Sequence, residues 1–116
     1  MPKLLGAMIV AGCAALAAPA FAHAILKSTV PQQSTTVAAP KQLSMTFTNK
    51  VTLADVKLVA GNRDVPLKRE KAGVASETHI IPVPPLKAGT YEVRWTAFAS
   101  DGHPMSRKWA FTVAVR

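Results

Sequence analysis

The residue with the most distinctive chemistry in this 116-residue chain is His23, because Ala20-Phe21-Ala22 directly before it forms the small-x-small pattern at which exported chains are cut. Cleavage there makes His23 the first residue of the mature protein. Its free α-amine and its own imidazole Nδ1 can then close a chelate ring on a metal ion. The amine ligates only when deprotonated, and its unperturbed pKa of about 7.7–8.0 lies close to neutral pH. Metal binding therefore releases protons and weakens as the pH falls. Two nitrogens from a single residue suit Cu(II), which prefers tetragonal nitrogen and oxygen ligands and tops the divalent affinity order.

Asp101-Gly102-His103-Pro104 strengthens this reading. A D-x-H triplet in a tight loop sets a carboxylate beside an imidazole, and Gly102 permits the bend. With the amine and ring of His23, Asp101 and His103 complete an N,N,N,O set, the number a tetragonal Cu(II) plane needs. A plainer reading stands beside it: Asp and Gly are ordinary turn residues, and a histidine after a cleavage site can be accidental. The other candidates read as structural. His79 lies in mid-strand, Met45 and Met105 fill core positions, and Trp95 and Trp109 fall on inward faces. No glycine-rich phosphate loop and no serine–histidine–aspartate arrangement is visible, so side-chain catalysis is not expected.

The elements that must position these residues begin after the leader. Met1-Pro2-Lys3 is a short basic start, residues 4–18 carry no charge, and Pro19 ends any helix before the A-x-A cut. That run is too short to span a ~30 Å hydrocarbon core comfortably. Residues 1–22 therefore read as a cleaved signal peptide, and residues 23–116 as one domain exported to the periplasm. A rival lies within the leader, where Val10-Ala11-Gly12-Cys13 resembles a lipobox that would make Cys13 a lipidated N-terminus. Either way the domain itself contains no thiol, which excludes disulfides, a cysteine-ligated zinc site and a cysteine nucleophile.

Fourteen lysines and arginines against six aspartates and glutamates give the chain a formal charge of +8. The cations are scattered apart from Lys68-Arg69-Glu70-Lys71, so they describe a solvated surface. There is no nucleic-acid motif, and no nucleic-acid partner is expected.

Short alternating runs bounded by turn residues dominate the domain, with no sustained helical period. Leu43, Met45 and Phe47 alternate with Ser44, Thr46 and Thr48; Val56 and Leu58 repeat the pattern before the Gly61-Asn62 turn, and Val65 and Leu67 continue it. Residues 78–83 are β-rich, but Pro82 cannot donate to a ladder, which places that strand at an edge or ends it there. Tyr91, Val93, Trp95, Ala97 and Ala99 share one face of a long strand. Trp109, Phe111, Val113 and Val115 share one face of the next. With residues 25–30 as the first strand, the count is about seven, and the spacing favours an all-β, Ig-like sandwich. Residues 31–40 read as an irregular polar connection and residues 68–76 as a loop.

Taken together, several of these residues resemble the CopC copper-resistance family. They are the A-x-A leader end, His23-Ala24 opening a strand with Ser28 and Pro31, Leu86 with Gly89-Thr90-Tyr91-x-Val93-x-Trp95, then Ser100-Asp101-Gly102-His103-Pro104 and Phe111-x-Val113. The resemblance implies a periplasmic Greek-key β-sandwich that binds Cu(II) through His23, Asp101 and His103; a monomer is expected. It also implies a CopD-like inner-membrane copper transporter as partner. Some members of that family hold a second, Cu(I) site in a methionine-rich segment. Here Met45 stands alone, so a Cu(II)-only form is expected. Two other functions remain open on sequence: a small copper mono-oxygenase-like enzyme built on an N-terminal histidine, and an Ig-like interaction module without metal.

Overall fold

The computed structural model describes residues 24–68 and 74–115. Among them there are seven strands and no helix: β1 (Leu26–Val30), β2 (Thr36–Val37), β3 (Gln42–Ala60), β4 (Arg63–Val65), β5 (Ala75–Pro82), β6 (Gly89–Ala99) and β7 (Pro104–Val113). The all-β class and the strand count agree with the expectation from periodicity. Residues 1–22, His23 and the basic Arg69-Glu70-Lys71 lie outside the described residues.

The strand that organises the fold is β3, 19 residues long. Its first part pairs antiparallel with β1 (Met45 opposite Thr29) and with β5 (Leu43 opposite Ile81). Its second part pairs with β6 (Val51 to Val59 opposite Ala99 to Glu92) and with β4. One strand therefore belongs to two layers. The first layer is β1–β3–β5, and the second runs from β4 through β3, β6 and β7 to β2. The periodicity of the sequence divides this stretch in two because its parity changes. Leu43, Met45, Phe47, Val51 and Leu53 are buried at odd positions, whereas Val56 and Leu58 are buried at even ones. The change falls on the register shift between Leu53 and Asp55, where a β-bulge adds one residue to β3.

The core lies between the layers. Phe47 of the first layer meets Trp95 of the second edge to face, with ring centroids 5.3 Å apart. Along β6, Tyr91, Val93, Trp95, Ala97 and Ala99 all face inward, and Trp109, Phe111 and Val113 do so along β7. Tyr91 and Phe111, opposite each other on β6 and β7, stack at 5.7 Å. Val115 does not continue this face; it lies beyond the end of β7 and is exposed.

The connection from 31 to 40 is more ordered than its composition implies. It contains β2, which runs parallel to β7, with Thr36 opposite Thr112 and Val37 opposite Val113. Ser34 and Ala110, Thr35 and Thr112, and Val37 and Ala114 are joined by backbone hydrogen bonds of 2.7–2.8 Å. The Trp109 indole N–H donates to the Pro31 carbonyl at 3.0 Å, tying the same connection to the core. A two-residue strand has no alternation to detect, and its pairing is wholly long-range. Pro82, in contrast, ends β5 as expected, and among the described residues β5 pairs only with β3.

Phe47 is 1% exposed and joins the two layers. Phe47→Ala is expected to lower unfolding free energy by about 3–5 kcal/mol through lost burial and the cavity left behind. Urea titration followed by tryptophan fluorescence would measure this directly.

Candidate metal centre

The D-G-H-P segment forms the tip of the β6–β7 hairpin. Strand β6 ends at Ala99, β7 begins at Pro104, and the ladder closes with Phe98 opposite Pro104. Two backbone bonds shape the tip: Gly102 N–H donates to Ala99 O at 2.9 Å, and Ala99 N–H donates to His103 O at 3.0 Å. Gly102 has φ +91°, a left-handed conformation that any side chain would strain. Glycine is required there by geometry.

Asp101 grips His103 twice. Its Oδ1 accepts the His103 backbone N–H at 3.0 Å, and its Oδ2 lies 2.8 Å from His103 Nδ1. A carboxylate only accepts, so the proton of the neutral imidazole sits on Nδ1 and Nε2 is the basic nitrogen. This is the arrangement in which a carboxylate fixes the tautomer and orientation of a metal-binding histidine. Sequence spacing leads to the expectation of Asp101 as a direct ligand. The geometry adds a second role, holding the ring that would ligate. A carboxylate has about four lone-pair sites, so the two roles are compatible. The pair stays open to solvent, the His103 side chain being 69% exposed and that of Asp101 36%.

The first described residues are tied to the same part of the fold. Ile25 N–H donates to Thr48 Oγ1, and Thr48 N–H donates back to Ile25 O, both at 2.9 Å. Ala24, next to His23 in sequence, is 2% exposed and packs in the core. Val51, three residues after Thr48, is the β3 partner of Ala99, where the D-G-H loop departs. Three extended residues reach at most about 10 Å. Residues 48–51 of β3 thus carry both the strand that follows His23 and the hairpin that presents Asp101 and His103.

The remaining candidates are packed or held. Met45 is fully buried and stands opposite His79 across β3 and β5. Met105 is half-buried against the core. His79 Nε2 lies 3.0 Å from both the Val51 and Ser76 carbonyl oxygens, so it carries a proton and donates to both. Among the described residues alone, no group of three histidines, cysteines or carboxylates forms a metal cluster. On β6, a hydrogen bond from Arg94 at 2.6 Å, with the charge of Lys108, holds the Glu92 carboxyl below its ordinary range. That group lies seven residues before Ala99, roughly 23 Å along the strand, and belongs to the solvated surface.

The CopC domain, as a sequence family, matches residues 26–114. The chain belongs to the CopC family. It is similar to copper resistance protein C of Escherichia coli, 35% identical over 105 residues covering 81% of this chain and 83% of that protein. Copper resistance protein C of Pseudomonas syringae pv. tomato is 36% identical over 108 residues, covering 84% and 86%. Among solved structures, PcoC from Escherichia coli, described as a methionine-rich copper resistance protein, superposes with a TM-score of 0.67 at 34% identity. It covers 80% of this chain and all of the other. CopC from Methylosinus trichosporium OB3b shares the fold, with a TM-score of 0.68 at 24% identity over 81% and 96% of the two chains. Unlike the methionine-rich PcoC, this CopC-family chain has four methionines, of which Met1 and Met8 precede residue 23.

The carboxylate grip on His103 predicts a specific signature. Asp101→Ala removes both acceptors, so the His103 ring is expected to lose its single tautomer. Nitrogen-15 shifts of the imidazole would register this as averaging of Nδ1 and Nε2. Asp101→Asn, whose one carbonyl oxygen still accepts, should retain part of the preference.

Proposed function

We propose that this protein is a copper-binding protein of copper resistance that carries Cu(II) in the periplasm after removal of residues 1–22. The cation would be held by the α-amine and imidazole of His23 together with Asp101 and His103. The donor chemistry supports this reading: three nitrogens and one carboxylate oxygen, with no thiolate or thioether among them, match the preference of Cu(II). The observation that carries it is the shared anchorage of both halves on residues 48–51 of β3, through Ile25–Thr48 on one side and Val51–Ala99 on the other. Relatives named copper resistance protein C, from two organisms at 35–36% identity, support the copper-resistance part of this reading.

Several further features follow as part of the proposal. Met45 is fully buried and His79 spends its Nε2 proton on two carbonyls, which supports a protein with Cu(II) alone and no thioether Cu(I) site. A carrier or buffer acting as a monomer suits an exposed site at a hairpin tip, from which a CopD-like inner-membrane transporter would receive the ion. Asp101 fills a position that copper–oxygen chemistry needs open, which favours carriage over catalysis.

The test is a comparison of N-termini. Protein beginning at His23 should bind one Cu(II) with nitrogen hyperfine structure in its EPR spectrum. A single residue added before His23 converts the amine to an amide and should weaken binding by orders of magnitude, with an unchanged far-UV spectrum. His103→Ala should weaken it strongly, and Asp101→Ala less. Equal affinity in the extended and native forms would overturn the chelate.

A further inference from the structure

We propose that His79 is a positioning residue for the proposed copper site, holding the stretch of β3, beside its register break, that carries the hairpin and the strand after His23. The inference rests on the copper reading above and extends it to a residue outside the ligand set. The antiparallel ladder between β3 and β5 is regular from Gln42–Pro82 to Thr46–Thr78, then breaks, and resumes at Val51–Ser76. Between Thr46 and Val51, β3 advances five residues while β5 advances two in the opposite direction. The extra β3 residues include Thr48, which holds Ile25. At such a break the backbone pairing is interrupted, and a side chain that bonds to both strands beside it can fix how the ladder resumes at Val51–Ser76.

The His79 side chain does this. Its Nε2–H is shared between Val51 O on β3 and Ser76 O on β5, 3.0 Å from each. The ring is further fixed edge-on to Phe47, with centroids 6.1 Å apart, and Phe47 in turn meets Trp95 of the opposite layer. His79 therefore clamps the far end of the 48–51 stretch while the core holds its near end. Val51 is the partner of Ala99, and Ala99 makes both backbone bonds that shape the D-G-H tip. A rotation of the chain at Val51 would move Asp101 and His103 relative to Ile25 and Ala24. His79 touches neither loop nor metal ligand in this scheme. It acts through the backbone of Val51.

The imidazole geometry makes the proposal sharp. The amide nitrogen of Gln reaches about as far along a side chain as imidazole Nε2, whereas that of Asn reaches only to the Nδ1 position. His79→Gln is therefore expected to keep the clamp, and His79→Asn and His79→Ala to lose it. In protein starting at His23, loss of the clamp should lower Cu(II) affinity about 10–100-fold, the range for supporting residues around a metal site. Competition with a calibrated chelator, well below the melting temperature, would read this. Amide hydrogen exchange on metal-free protein gives a second readout, independent of copper. The Ala99 and Gly102 N–H groups should exchange faster in the Ala and Asn variants, with Thr112 and Ala114, bonded to the β2 segment, unchanged.

Recovery of both readouts in the Gln variant supports the positioning role. Equal copper affinity in all four proteins overturns it, as does exchange that rises uniformly across the sheet, because that pattern marks general destabilisation. If the unsubstituted protein binds no Cu(II), the function proposed above fails. The exchange pattern then decides alone whether His79 positions the loop.

Discussion

A strand shared by two layers is the constraint on which the rest of this molecule depends. In a β-sandwich the two sheets are held by side-chain packing, and their relative placement tolerates small slides. Here β3 passes covalently from one to the other, so the β1–β3–β5 layer and the β6–β7 hairpin cannot move independently. The packing agrees with the covalent path: Phe47, just before the crossing, faces Trp95 on β6. The proposed site, drawn from His23 and a hairpin about 78 positions later, would need such a link, since separate loops would have to be ordered by the metal itself. The crossing would do that ordering in advance.

The hairpin tip shows the same economy on a smaller scale. Four residues close the turn with two backbone bonds, Gly102 takes the left-handed conformation, and Asp101 spends one oxygen on the His103 backbone and the other on its ring. Main chain and side chain of His103 are thus oriented by one carboxylate. An exposed histidine on a mobile loop would lose rotamer freedom on binding a cation. Here part of that ordering is already complete, although the ring stays largely open to water. Preorganisation and accessibility coexist because the restraint comes from within the turn.

The parts legible from sequence were those written in local patterns. The alternation Tyr91-x-Val93-x-Trp95-x-Ala97 and its partner around Trp109 and Phe111 identifies β6 and β7 and their inward faces, because a strand with one buried face repeats every two residues. The D-x-H spacing identifies the Asp101–His103 pair, since two residues apart in a turn is hydrogen-bonding distance. What stayed hidden depends on distant partners. The Leu53/Asp55 bulge makes one strand look like two, β2 exists only through its pairing with β7, and Val115 belongs to an alternation that outlasts its strand. His79 was legible as structural. Its engagement of Val51 is not, because that carbonyl lies 28 positions away and comes beside the ring only through the pairing of β3 with β5.

The departure from a methionine-rich relative follows the same physical logic. Thioether sulfur is a soft donor suited to Cu(I), and imidazole, amine and carboxylate suit Cu(II). In this chain the one methionine on β3, Met45, is turned wholly into the core beside Phe47, where its flexible side chain fills space. The imidazole opposite it, His79, faces the break in its own ladder. Both side chains therefore serve the packing and alignment of β3. The residues that could have made a soft site instead pack and align β3, the strand on which the proposed Cu(II) site would rest.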